Sequence, residues 1–337
     1  MSVRRGLLLP AVLLAAACEP TTVGVRGNGA FSPDGGRVLQ VEARYDSFSR
    51  EEPWTDAPSA TNWRALFLEG PADLAAVQSV AVFDGTPRAV KALMRAPLYW
   101  LDGVQVALAV VDGRAVGYRL RSTGTFEYAL PEDRRGEYFL FAGRDLRSEV
   151  KAVVAVPSPD GTRVAVLFSA AYGEKFVHVV SFFSADGLHE RTVPLAEFQD
   201  TDESLLLDVP APAPAPADGA QPVPAWGRAA LLWAKDGSGV FVVDRDEALA
   251  EDGGVPTVTG QGMKVDVASG PARAVEAVPA FPLPTSGGPV SPDGKLLVTW
   301  SPSSAPNDSE LRLQPLEDWV DFGELGTVSP ADAGWAR

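Results

Sequence analysis

Five times along this chain an Asp-Gly pair stands just ahead of an aliphatic run, and that recurrence limits the architecture more than any other feature. Aligned on the pair, the segments are AFSPDGGRVLQV from Ala30, YWLDGVQVALAV from Tyr99, VPSPDGTRVAVLF from Val156, LWAKDGSGVFVV from Leu232 and PVSPDGKLLVTW from Pro289. The pairs themselves are Asp34-Gly35, Asp102-Gly103, Asp160-Gly161, Asp236-Gly237 and Asp293-Gly294, and three residues after each glycine come Val38, Val106, Val164, Val240 and Leu297. Proline presets φ for a first central turn position, Asp bonds to nearby backbone N–H groups, and Gly accepts positive φ. The residues that follow, such as Thr162-Arg163-Val164-Ala165-Val166, read as a strand, so each unit begins with a tight hairpin.

Each unit then continues with a second pair of apolar runs around a glycine: residues 65–77, 115–130, 177–195 and 262–278 all have this form, and 309–322 has a similar rhythm. Four strands per unit, repeated along the chain, predict an all-β fold, a β-propeller of four-stranded antiparallel blades. Helical periodicity is nearly absent from the sequence, and RDEALAEDGG near Asp246 is at most one turn. A pair of β-sandwiches is the rival architecture, but it does not predict the same turn at five places.

On these turns, three of them complete Ser-Pro-Asp-Gly (32–35, 158–161 and 291–294), the chain resembles the TolB-type, WD-like propeller family over roughly residues 25–325. The resemblance implies a scaffold. TolB-type proteins carry an N-terminal α/β domain ahead of the propeller, which does not precede the first turn here, so their partners do not carry over. Successive motifs lie 68, 58, 76 and 57 residues apart, longer than a compact blade of about 40–50 residues. Long loops explain part of the excess. The Pro/Ala-rich stretch 209–226 cannot enter a sheet, and residues 46–63 form a second polar insertion. Five blades are expected, with six or seven as alternatives.

The N-terminus, MSVRRGLLLPAVLLAAACEP, has two arginines, an apolar stretch to Ala17 and small residues before Cys18. That is the layout of an export signal, too short to span a bilayer. With Ala15, Ala16, Ala17 and Cys18 it resembles a bacterial lipoprotein signal, although Ala15 stands where that family has Leu. The resemblance implies cleavage before Cys18, lipidation of its thiol and, with Glu19 following, delivery to the outer membrane. Cys18 is the chain's single cysteine and can form no intramolecular disulfide. The expected organisation is a signal peptide at 1–17, a lipidated cysteine and short tether at 18–27, the propeller at 28–325 and a tail at 326–337.

The whole chain has 29 basic and 44 acidic residues, a formal charge of −15, and loss of residues 1–17 removes two arginines. Such a body repels polyanions, which argues against nucleic acid as a partner. Chemistry is sparse. The two histidines, His178 and His189, fall within one predicted strand pair and read as ordinary strand residues, and no G-x-S-x-G elbow or Cys/His zinc set occurs. The acidic stretches 199–208 and 244–254 lack the spacing of a calcium loop, so no cofactor is expected and calcium is the one alternative. Trp54, Trp63 and Trp226 fall in the predicted long loops as candidate partner contacts; Trp100, Trp233 and Trp300 lie beside the turns as packing residues. The functional expectation is a lipid-anchored, non-enzymatic envelope scaffold that binds a protein partner. The alternatives are a propeller enzyme acting on a sugar or lactone, and a glycan-binding module.

Overall fold

The computed structural model describes residues 20–47, 60–72, 76–132, 140–141, 144–145, 150–172, 175–195, 229–234, 236–244, 262–275, 288, 296–301 and 310–315. The first sheet consists of β1 (Thr21–Phe31), β2 (Arg37–Ser47), β3 (Thr61–Pro71) and β4 (Gln78–Asp84). Helix α1 (Pro87–Arg95) follows, and then a second sheet of β5 (Tyr99–Leu101), β6 (Val106–Val111), β7 (Arg114–Arg119) and β8 (Thr125–Glu127). A short ladder of β9 (Leu140–Phe141) and β10 (Arg144–Asp145) precedes the third sheet, β11 (Lys151–Pro157), β12 (Arg163–Tyr172), β13 (Lys175–Ser184) and β14 (His189–Pro194). The fourth is β15 (Ala229–Trp233), β16 (Gly239–Asp244), β17 (Gly262–Asp266) and β18 (Arg273–Val275). Last come β19 (Leu296–Ser301) and β20 (Glu310–Pro315), which pair with each other. Every four-stranded sheet is an antiparallel meander in chain order.

The strands read as continuous apolar runs because the sheets are covered on both faces. Val164 through Phe168 on β12 are all buried. On β13, Phe182 points to the fourth sheet and meets Trp233 edge-on at 5.7 Å, while its neighbour Phe183 points the other way and meets Tyr128 at 5.6 Å. One core lies between the first and second sheets, and a second runs from the second sheet through the third to the fourth. Two polar tips inside these layers find backbone partners: Trp233 Nε1 donates to the Val156 carbonyl at 3.1 Å and the Tyr128 hydroxyl to that of Ala185 at 2.6 Å.

The first strands of successive sheets adjoin: β1 lies against β5, β5 against β11, and β11 against β15. Strand β1 also lies against β19 and β20, and the Phe31 amide donates to the Gly288 carbonyl at 2.7 Å, so the first sheet meets the last. Sheets stacked face to face with the first meeting the last are a β-propeller, and a pair of sandwiches has no such closure. The ring has two distinct ends. The Asp-Gly turns join the first strand to the second in each four-stranded sheet, and Arg37 reaches Asp102 across sheets, so these corners share one end. At the opposite end are the starts of the first strands and the β6–β7 turn, where the Ala152 amide donates to the Gly113 carbonyl at 2.7 Å.

Two expectations are corrected. Strand β1 starts at Thr21, so the propeller reaches into the stretch read as a tether and does not wait until residue 28. Helix α1 was not foreseen, although its signals are in the sequence. Thr86 caps it, its hydroxyl accepting from the Ala89 amide at 3.2 Å, and Pro87 occupies the first turn. Its buried residues Val90, Leu93 and Met94 recur at helical spacing and pack on the core shared with β1, β2, β3 and β6. The signal-peptide segment, the 209–226 stretch and the 326–337 tail lie outside the described residues.

Met94 is fully buried, whereas Thr86 is exposed and acts only on the helix end. In urea titrations Met94→Ala is expected to cost about 2–5 kcal/mol. Thr86→Ala is expected to cost about 1 kcal/mol.

Candidate functional site

The corner end is built from hydrogen-bonded turns. At three corners the glycine takes the left-handed conformation the sequence requires: Gly35 at φ 73°, Gly161 at φ 67° and Gly237 at φ 69°. The serine ahead of the turn does as much as the Asp. The Ser32 hydroxyl donates to Asp34 Oδ1 at 2.5 Å and accepts from the Arg37 amide at 3.0 Å. Ser158 repeats this with Asp160 at 2.6 Å and the Arg163 amide at 2.9 Å. The Asp carboxylate in turn accepts from the amide two residues on, Gly36 at 3.0 Å, Thr162 at 3.1 Å and Ser238 at 2.9 Å. The Ser32 and Ser158 corners are thus closed sets of hydrogen bonds with the hydroxyl at the centre, while at Asp236-Gly237 Ala234 stands in the serine's place and the carboxylate alone makes the side-chain bond.

Sequence reasoning gave the serine no role, and it missed a fourth instance. Ser184-Ala185-Asp186-Gly187 joins β13 to β14 with the same geometry: Ser184 Oγ donates to Asp186 at 2.5 Å and accepts from the Leu188 amide at 3.0 Å, and Gly187 sits at φ 97°. It also missed the turn Asp112-Gly113, both residues at positive φ, which closes β6–β7 at the opposite end. Asp102-Gly103 departs from the pattern. It forms a short 3₁₀ turn, Asp102–Val104, and Gln105 takes the left-handed position at φ 53°. Asp293-Gly294 lies outside the described residues.

The reason for the departure is that Asp102 is recruited elsewhere. The Arg37 guanidinium donates to Glu69 Oε1 at 2.7 Å and to Asp102 Oδ2 at 2.8 Å, and Arg121 donates to Glu69 Oε2 at 2.6 Å. Gln105 Nε2 donates to Asp102 Oδ1 at 2.8 Å, and Arg37 also lies 4.7 Å from the Trp100 ring centre. Glu69 is buried, so two guanidinium groups bridged by its carboxylate tie the first sheet to the second. A cleft of 420 Å³ opens beside the clamp, lined by Arg37, Glu69, Pro71 and Val77 among others. The corner end also exposes apolar side chains at Val104 (42%) and Leu188 (71%).

Hydrogen bonding sets the charge of this end. Asp34 is held below its ordinary value of 3.8 by the Ser32 hydroxyl and the Gly36 amide, Asp186 by Ser184, and Asp236 by Ser238. Burial pushes Asp160 upward, but bonds from Ser158 and Thr162 outweigh it and its value is also lowered. The corners therefore present ionised carboxylates at neutral pH.

At the opposite end a 610 Å³ cleft is lined by residues 60–64, Asp84, Gly85 and Pro87. Asn62 sits at φ 54° and donates to Asp46 Oδ2 at 2.8 Å, while Thr22 donates to Oδ1 at 2.8 Å; both lower the Asp46 value, Asn62 the more. Trp63, read as a loop residue open to a partner, is instead in β3 and buried. It stacks on Tyr45 at 4.3 Å, with the Lys91 ammonium 5.0 Å from its ring centre. Trp54 and Trp226 lie outside the described residues. Trp100 and Trp233 are buried between sheets, as packing residues should be.

His178 and Ser169 face each other across β12 and β13, Nδ1 to Oγ 2.5 Å, but the imidazole is 1% exposed and no substrate reaches it. His189 bonds through Nε2 to Thr192 at 2.8 Å and packs against Phe183. Among the described residues no three His, Cys, Asp or Glu side chains gather as a metal site, and the acidic stretches weighed for calcium lie outside them except Asp244. Among the same residues no helix is long and apolar enough to cross a membrane.

No family model matches the chain. No curated protein matches it either. Solved structures similar to it include an oligogalacturonate lyase from Vibrio parahaemolyticus, at TM-score 0.39 and 8% identity over 87% of this chain. This chain spans 66% of the length of that lyase. A family 117 glycoside hydrolase from Zobellia galactanivorans gives TM-score 0.34 and 12% identity, covering 88% of this chain and 85% of its own. The Cps50 β-propeller domain of Myceliophteria thermophila gives 0.27 and 10%, covering 77% and 90%. The expectation of a chain without catalytic activity is corrected here: the structures it is similar to are mostly enzymes. At these identities no activity passes from them to this chain.

Two outcomes test the corner chemistry. Ser158 is buried, so Ser158→Ala leaves Asp160 and the Arg163 amide short of a partner and is expected to cost about 1–3 kcal/mol in urea titration. Because the four Asp values are lowered in the folded state, their contribution is full above the unfolded value of 3.8 and drains as pH falls through the lower folded values. Melting temperature should therefore drop from about pH 4 downward, and less steeply in a Ser32→Ala, Ser158→Ala, Ser184→Ala triple variant than in the parent.

Proposed function

We propose that this chain is a bacterial envelope lipoprotein, held at the outer membrane by acyl chains on Cys18, whose propeller docks a protein partner through its corner end. The observation that carries the reading is the combination found at that end. Turns held by hydrogen bonds from Ser32, Ser158 and Ser184 lie at the same end as two exposed apolar side chains, Val104 and Leu188. A surface already ordered loses little conformational entropy on binding, and exposed apolar groups on such a surface supply the desolvation that association needs. The N-terminal layout supports the anchor, since each buried methylene contributes about 0.8 kcal/mol and multiple chains make attachment stable. The acidic body, with 44 Asp and Glu against 29 Lys and Arg, favours a partner with a basic surface through faster encounter.

The test is affinity capture of the cross-linked protein from its own membrane, comparing the parent with a Val104→Asp, Leu188→Asp double variant. A protein recovered with the parent and lost with the double variant supports the reading, and its recovery should fall as salt rises. An identical set recovered with both counts against the corner end as the docking surface. A saccharide recovered in place of a protein supports the glycan-binding alternative.

A further inference from the structure

We infer that the end of the ring opposite the corners rests on the lipid headgroups, so that the corner end faces away from the membrane. The inference rests on the acylated Cys18 of the proposed function, and it follows from chain length and strand direction. Strand β1 begins at Thr21, three residues after Cys18, a distance of at most about 11 Å for extended chain. An acyl group at that position lies too close to the ring for the body to swing over and present its other end. From Thr21 the strand runs 11 residues to Phe31, about 36 Å, before the first corner begins. The corner end therefore stands roughly four Debye lengths from the bilayer, beyond the reach of its surface charge.

The same geometry gives helix α1 a place. It sits at the anchored end, between β4, which ends at Asp84, and β5. Its large aliphatic residues, Val90, Leu93 and Met94, are already buried in the core and are not available to insert into lipid. All three of its charged residues, Arg88, Lys91 and Arg95, are basic, and the Arg88 side chain, paired with Asp112 at 3.1 Å, is still 83% exposed. Near an anionic surface each cation contributes about 1 kcal/mol, small beside the acyl chains. The tether sets the orientation, and the helix cations meet the headgroups without holding the protein there.

Acylation consumes the chain's single thiol, so an introduced cysteine is the only free one in the mature lipoprotein. Arg88→Cys and Lys151→Cys place a fluorescent label at the anchored end, and Leu188→Cys places one at the corner end, all at exposed positions. The labelled full-length lipoproteins are reconstituted into phosphatidylcholine vesicles containing a lipid with a nitroxide headgroup. Quenching severalfold stronger at positions 88 and 151 than at 188 supports the inference. Equal quenching at all three, or stronger quenching at 188, overturns it. Incorporation of radiolabelled palmitate, lost in Cys18→Ala, is measured in parallel. Equal quenching with incorporation overturns the orientation alone, whereas no incorporation overturns the anchor and the orientation with it.

Discussion

A four-stranded sheet that is apolar on both faces cannot remain alone in water, and that constraint organises this molecule. Phe182 and Phe183 are neighbours on β13, yet one packs on the fourth sheet and the other on the second. Each sheet thus needs a neighbour on either side, and a row of such sheets ends in two uncovered faces unless the first meets the last. Contact of β1 with β19 and β20, together with the Phe31 to Gly288 hydrogen bond, removes those faces. Stacking supplies the apolar burial, at about 25 cal/mol per Å², and closure keeps it from being lost at the ends.

Stacking alone does not fix how one sheet meets the next. Register between the first two sheets is set by charge: Glu69 accepts from Arg37 and Arg121, and Arg37 also reaches Asp102. Because Glu69 is buried while the two arginines are partly exposed, the carboxylate is neutralised where water cannot solvate it, and the guanidinium groups keep part of their hydration. The clamp explains why the second corner differs from the others. Asp102 accepts from Arg37 through Oδ2 and from Gln105 of its own turn through Oδ1, and the chain closes that corner with a 3₁₀ turn and a left-handed Gln105.

The two ends of the ring have different chemistry as a result. At the corner end, short turns fix their own carboxylates and leave Val104 and Leu188 exposed. At the other end lie the start of β1, helix α1 and a 610 Å³ cleft around Asn62 and Asp84. In the function proposed above, attachment would use the second end and recognition the first, so the two would not compete for one surface.

Local chemistry was readable in the sequence and distant chemistry was not. Gly35, Gly161 and Gly237 take positive φ because a tight turn over four residues demands it, whatever the rest of the chain does. The strands follow from β-branched runs after each turn, and their recurrence implies a ring of sheets. The serine hydroxyl was equally local, and reading the motif as Pro, Asp and Gly alone passed over it. Helix α1 was announced by Thr86-Pro87 and by the spacing of Val90, Leu93 and Met94, signals outweighed by the strand pattern on either side. Only the tertiary structure decided the rest. Trp63 looked like a loop residue until Tyr45, 18 positions earlier, was seen stacked on it, and Glu69 and Asp102 became partners of Arg37 across 32 and 65 positions. A turn depends on energies between adjacent residues, which a sequence lists side by side. A clamp or a stack depends on where the folded ring brings distant residues, and no spacing along the chain encodes that.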